Sequence, residues 1–85
     1  MELNKEIREL VSNIGGLKPD FDGTADLYLD LAMPSIRAMQ LLVELEERFK
    51  IHVPDEQFVE ARSLDTVARL VANLMRAQTI DANDR

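Results

Sequence analysis

Ser35-Ile36-Arg37-Ala38-Met39-Gln40-Leu41-Leu42-Val43-Glu44-Leu45-Glu46-Glu47-Arg48-Phe49 is the stretch that decides the fold. Advancing about 100° per residue from Ile36 puts Ala38, Leu41, Leu42, Leu45 and Phe49 in one arc, at roughly 140° to 240°. That is the buried stripe of an amphipathic helix. Ile36, Met39 and Val43 fall in a second arc, at roughly 300° to 360°. Arg37, Gln40, Glu44, Glu47 and Arg48 separate the two arcs on one side, and Glu46 alone on the other. The helix therefore carries a core stripe and a smaller apolar ridge. Either the helix is buried on a wide face against two neighbours, or the ridge is exposed as a docking surface rimmed by Glu44, Glu46 and Glu47.

On the N-terminal side, residues 17–34 read as a long connection, rich in Asp and closed by Pro34. A loop of that length in a small domain is usually functional, and Leu27, Leu29 and Leu31 are placed to pin it to the core. Asp20-Phe21-Asp22-Gly23 has the start of a calcium loop but lacks its later ligands, so a solvated acidic loop is the expectation. Before the loop, Leu3, Ile7, Leu10, Val11 and Ile14 mark one face of a first helix, with Asn4 as a candidate cap. Gly15-Gly16 supplies its stop. On the C-terminal side, Asp55 is a candidate cap for a short helix through about Ala61. Ser63 caps a last helix from Leu64 to about Gln78, with Leu64, Val67, Leu70, Val71 and Leu74 on its apolar face. The expected fold is all-α: a four-helix bundle of three main helices and one short one, with the long loop between the first two. Residues 1–78 form the domain, and 79–85 are expected to be a disordered tail.

Composition agrees. In 85 residues there is no cysteine and one histidine, which excludes a disulfide framework and a thiolate or histidine-cluster metal site. Only 5% of residues are aromatic, so the core must be aliphatic, which favours helices over a sheet. A formal charge of −6 opposes binding to nucleic-acid phosphates or anionic lipid and favours proteins with basic patches. With no signal-peptide pattern and no apolar run of membrane-spanning length, the expectation is a cytoplasmic monomer without membrane insertion.

Ser35 is the candidate functional residue. A serine opening a helix is ordinarily a cap. Ser35 differs from Ser12 and Ser63 in ending the long loop and standing one residue before the ridge, where a modifying enzyme and a docking partner can share one surface. It has no base nearby in sequence and no Gly-x-Ser-x-Gly setting, which argues against a hydrolytic nucleophile and against an enzyme. His52 stands alone and reads as a surface residue. Arg62, Arg69 and Arg76 recur every seven residues, as on one face of the last helix; they are either solvated or bridge to the acidic loop.

These segments together resemble the acyl carrier protein family. Asp30-Leu31-Ala32-Met33-Pro34-Ser35-Ile36 is similar to the family's Asp-Leu-Gly-x-Asp-Ser-Leu. Leu45-Glu46-Glu47-Arg48-Phe49 and Ile51-His52-Val53-Pro54-Asp55-Glu56 resemble its Leu-Glu-Glu-x-Phe and Ile-Pro-Asp-Glu segments, and Ser63-Leu64-Asp65-Thr66-Val67 the start of its last helix. The resemblance implies that Ser35 receives 4'-phosphopantetheine from coenzyme A, through a phosphopantetheinyl transferase that holds a magnesium ion on the phosphates. It also implies that the terminal thiol carries a thioester between partner enzymes: a loading ligase, acyl or aminoacyl, then downstream synthases or transferases. Ile36, Met39, Val43, Glu44, Glu46 and Glu47 become the expected docking set.

The sequence departs from the family pattern in four places. Pro34 replaces the Asp before the serine, and Ala32 stands where Gly is common. Arg37 and Gln40 replace acidic positions of fatty-acid carriers, and Ser-Ile-Arg-Ala-Met is closer to peptidyl carriers. The implied protein is a specialised carrier of an acyl, polyketide or aminoacyl group, outside housekeeping fatty-acid synthesis. The alternative is a carrier-like interaction module that is not modified. Pro34 fixes the loop that presents Ser35 but removes a carboxylate, so a housekeeping transferase should modify the natural chain more slowly than Pro34→Asp.

Overall fold

The computed structural model describes residues 2–83, with side-chain surroundings for residues 3–78. Four helices follow in order: α1 (Glu2–Gly15), α2 (Ser35–Phe49), α3 (Asp55–Glu60) and α4 (Leu64–Asn83), with no strand among the described residues. The expected all-helical bundle is the observed one. The tail expected over 79–85 lies outside the described residues for its side chains and its last two positions; the α4 backbone continues beyond the expected end near Gln78.

α1 packs against α2 and α4, and α3 against α4. The core joins Ile7 and Val11 of α1, Leu41 and Leu45 of α2, Phe58 of α3, and Leu64, Val67 and Val71 of α4. α1 begins at Glu2, so Asn4 lies inside its first turn and is not the cap. Its C-terminus closes through Gly16, whose φ of +71° suits a residue without Cβ, and through the Leu17 N–H, which bonds the Ser12 carbonyl at 3.0 Å. This is the six-to-one bond of a Schellman stop. Gly15 serves close approach instead: a Cβ there would sit 2.7 Å from Met33 Sδ.

Pro34, not Ser35, is the N-cap of α2. Its extended φ and ψ of −67° and 145° aim its carbonyl at the Arg37 and Ala38 N–H groups, and Ser35 is the first helical residue. α3 is likewise capped by Pro54. Asp55, expected as cap, occupies the first helical position, where its charge favours the helix N-terminus. Ser63 caps α4 as expected, in a reciprocal pair with Thr66: the Thr66 N–H donates to Ser63 Oγ at 3.2 Å and the Ser63 N–H to Thr66 Oγ1 at 2.9 Å. Arg62 precedes α4, so the seven-residue spacing does not place it on that helix with Arg69 and Arg76.

The 17–34 connection is fastened both by Phe21, Leu27 and Met33, which enter the core, and by polar groups. Arg8 Nη1 donates to the carbonyls of Pro19 and Phe21 at 3.0 and 2.6 Å, and the guanidinium covers the Phe21 ring. Asp22 accepts from the Thr24 N–H and hydroxyl, which lower its pKa. Asp26 accepts from the Tyr28 and Leu29 N–H groups. Backbone bonds from Leu27 to Arg62 (2.7 Å) and from Asp65 to Gly23 (3.0 Å) seam the loop to the start of α4. Of the three leucines expected to pin the loop, Leu27 is fully buried and Leu31 half-buried. Leu29 is 80% exposed, because the turn built on Asp26 points it outward.

Candidate functional site

Ser35 is exposed at the first turn of α2, and its hydroxyl makes no hydrogen bond among the described residues. Pro34 explains this. Because the cap is a backbone carbonyl, the serine hydroxyl is released from the role it usually plays at a helix start. The Arg37 and Ala38 N–H groups are taken by the Pro34 carbonyl, whereas those of Ser35 and Ile36 have no acceptor among the described residues, so an anion attached to Ser35 would meet these two and the positive end of the helix dipole.

Two apolar surfaces flank Ser35. One is the ridge: Ile36 is 64%, Met39 67% and Val43 51% exposed. The wide-face alternative is therefore not the arrangement adopted, since no neighbouring helix covers this arc. Ile14 joins the ridge from α1 and edges a shallow trough along it. The second surface is a cavity of about 590 Å³ between α2, α3 and the end of the long loop, with Ser35 on its lining. Met33, Ala38, Leu42 and Phe58 give it an apolar interior; Met39 and Val59 stand at its open side, and Tyr28, Asp55 and Arg62 supply polar groups. Met39 belongs to both surfaces.

The acidic residues of the expected docking set differ in state. Glu44 and Glu47 make no ion pair among the described residues. Glu46 is engaged: its carboxylate accepts from the Val53 N–H at 2.9 Å and lies 3.4 Å from His52 Nδ1. It fixes the segment after α2 as well as edging the ridge. The His52 ring is exposed, as expected of a surface residue, while its backbone is clasped by the Gln78 amide. Arg37 reaches back to α1, donating to the Ile14 carbonyl at 2.9 Å. α1 has no basic residue in its last turn, so Arg37 supplies the cation its C-terminus lacks. Arg48 pairs with Glu6 of α1 at 3.2 Å.

One cluster beside the site was only partly foreseen. Arg62 grips Asp26 with two donors, Nε at 2.7 Å and Nη2 at 3.2 Å, and lies 4.9 Å from the centre of the Tyr28 ring. The Arg62 hydrogen bond, with the Leu29 and Tyr28 N–H groups, holds the Asp26 carboxyl at about 2 rather than 3.8. Burial pushes the Tyr28 hydroxyl up. The bridge from Arg62 to the acidic loop was one of the two sequence expectations; its place on the cavity was not, because neither periodicity nor a motif links positions 26, 28 and 62. Among the described residues no group of three or more His, Cys, Asp or Glu side chains is arranged to hold a metal ion, and no helix is long and apolar enough to cross a membrane.

The described residues thus form a small helical bundle that presents an unbonded serine at a helix N-terminus, between an apolar ridge and an apolar cavity. Comparison with known proteins gives the family. The family described as a phosphopantetheine attachment site matches residues 5–71. The acyl carrier protein of Akkermansia muciniphila is 31% identical over 77 residues, covering 89% of this chain and 92% of that protein. The acyl carrier protein of Campylobacter hominis is 29% identical over 75 residues, covering 87% and 95%. The chain belongs to the acyl carrier protein family, whose members are carriers bearing a 4'-phosphopantetheine prosthetic group.

Proposed function

We propose that Ser35 is the attachment residue, and that the chain carries an acyl or aminoacyl thioester between the enzymes of a specialised pathway without itself catalysing a reaction. The supporting observation is the free, exposed Ser35 hydroxyl at the N-terminus of α2, on the edge of both apolar surfaces. Attachment forms a bond from Ser35 Oγ to the phosphorus of the arm as the pyrophosphate linkage of coenzyme A breaks, releasing adenosine 3',5'-bisphosphate and the hydroxyl proton. The α2 N-terminus favours the resulting phosphodiester charge. When bound, the arm supplies a terminal thiol for thioester formation and, by tethering, a raised effective concentration of cargo at each partner.

The protein's own residues then have two roles. Ile36, Met39 and Val43, edged by Glu44, Glu46 and Glu47, form the face that meets the transferase, the loading ligase and the downstream synthases or transferases. Met39 suits such a face because its side chain repacks against differently shaped partners. The cavity beside Ser35 is where the arm and its cargo shelter from water between encounters. A specialised pathway is supported by Arg37 and Gln40, which stand where fatty-acid carriers resemble one another in being acidic.

The test is intact-mass measurement after incubation with coenzyme A, magnesium and a broad-specificity phosphopantetheinyl transferase. One added phosphopantetheinyl group, absent in Ser35→Ala, is the expected result. The unmodified-module reading draws on Pro34 and would be favoured if several such transferases add nothing.

A further inference from the structure

The cavity beside Ser35 is lined mostly by apolar residues, with Arg62 and Asp55 as the charged residues on its lining. A mobile surface arginine at a cavity edge would say little. Arg62 is not free to wander: two of its nitrogens are committed to Asp26 and its plane is covered on one side by Tyr28. The backbone behind it is fixed as well, by the 2.7 Å bond from the Leu27 N–H to the Arg62 carbonyl. These contacts leave Nη1 without an acceptor among the described residues. The guanidinium is thus a donor with its orientation already set, so little side-chain entropy is lost when it bonds a ligand.

This placement discriminates between cargoes. An alkyl chain gains from the Met33, Leu42 and Phe58 surface but nothing from a guanidinium, whose remaining donors it would strip of water. A chain with an oxygen at the right depth keeps the apolar contacts and satisfies Nη1. Because Asp26 already balances the Arg62 charge, a neutral oxygen is a better match than a second carboxylate. The arginine is contributed by the α3–α4 connection, whereas Ser35 is on α2. The tethered group approaches it from across the cavity, which favours the cargo over the part of the arm nearest the serine.

We propose that Arg62 reads the cargo: it donates a hydrogen bond to a neutral oxygen, hydroxyl or carbonyl, borne by the acyl group on the arm, and so makes this a carrier of oxygenated rather than plain alkyl chains. The proposal rests on attachment at Ser35. Asp26 and Tyr28 act as positioning residues for the guanidinium.

The test compares the full chain as holo, octanoyl and 3-hydroxyoctanoyl or 3-oxooctanoyl forms, each loaded from its coenzyme A derivative and verified by intact mass. Two readouts are followed: the Arg62 side-chain N–H resonances and the melting temperature. An oxygenated cargo should move the Arg62 resonances and raise the melting temperature above the octanoyl form by on the order of 5 °C, the effect expected of one charge-assisted hydrogen bond in a domain this small. In Arg62→Met, which keeps much of the aliphatic stem, the oxygenated and octanoyl forms should melt together. The resonances are read in the natural sequence, so the proposal stays testable if that variant folds poorly. Resonances that have already moved fully in the holo form would assign the contact to the arm and overturn the cargo reading, as would identical spectra for octanoyl and oxygenated forms. Failure to load at Ser35 would be visible in the mass before either readout, and would overturn the carrier reading and this one with it.

Discussion

The 17–34 loop and helix α2 sit side by side and use their residues in opposite ways. In the loop, polar side chains provide much of the structure. Asp22 and Asp26 fold the turns, and Arg8 and Arg62 clamp the chain to α1 and to the α3–α4 connection. In α2, Ala38, Leu41 and Leu45 bind the helix to the core while Ile36, Met39 and Val43 are left facing water. Acidic residues that look available for ligands are thus occupied internally, and apolar residues that look destined for a core are not. The difference locates function: a surface is available for a protein partner where apolar area is left exposed.

The largest expected effect tests the buried side of α2. Leu45→Ala removes a fully buried side chain and should destabilise the domain by about 2–5 kcal/mol in denaturant unfolding. A loss near zero would mean that the buried stripe does not anchor the helix.

The loop should fail differently, through acid. The folded Asp26 carboxyl, at about 2, gives up its proton more readily than the 3.8 of an unperturbed one. Between those values the unfolded chain binds more protons, so stability is present above the window and is lost as pH falls through it. Asp26→Asn keeps an oxygen for the Tyr28 and Leu29 N–H groups but loses the ion pair. It should be less stable than the natural sequence at neutral pH, and the gap should close in melts taken from pH 4 down to pH 2. A gap that does not change with pH would remove the ion pair from the account.

Ala32 offers a smaller, opposite effect. Its φ of 58° is left-handed, a region that costs a residue with a Cβ roughly 1–2 kcal/mol. Glycine recovers that strain but adds unfolded-state freedom, so Ala32→Gly should be stabilising by up to about 1 kcal/mol in chemical denaturation. A clear loss would show that the Ala32 methyl makes contacts outweighing the strain.

The smallest stability effect belongs to the ridge. Met39→Glu should change stability by no more than about 0.5 kcal/mol, as for surface substitutions generally, while slowing modification by a transferase and loading by a ligase. If it unfolds the domain, Met39 is core and the contrast between the two arcs of α2 is lost.

Helices and their apolar faces were legible in the sequence because periodicity is local: both arcs of α2 follow from spacing alone. Whether the second arc would be buried along with the first was not legible, since that depends on which neighbouring segments the tertiary fold lays against it. Caps were half legible. Ser63 keeps its expected role, but Pro34 and Pro54 displace Ser35 and Asp55 from theirs, because a proline carbonyl accepts the first helical bonds without any side chain. Leu29 was misplaced, since alternate leucines suggest a pinned loop whereas the Asp26 turn reverses the chain beneath them. The cavity around Ser35 was not legible at all: Tyr28, Phe58 and Arg62 come from three segments that only the tertiary fold brings together.

Ser35 remains the centre of the account, and the direct measurement is fragmentation mass spectrometry of the transferase-treated protein. The account predicts that the phosphopantetheinyl group resides on the peptide containing Ser35, with Ser12, buried and bonded to the Leu17 carbonyl, and Ser63, engaged with Thr66, both unmodified. An adduct on either of those serines, or none on Ser35 when the same transferase fully modifies a known carrier, would contradict it.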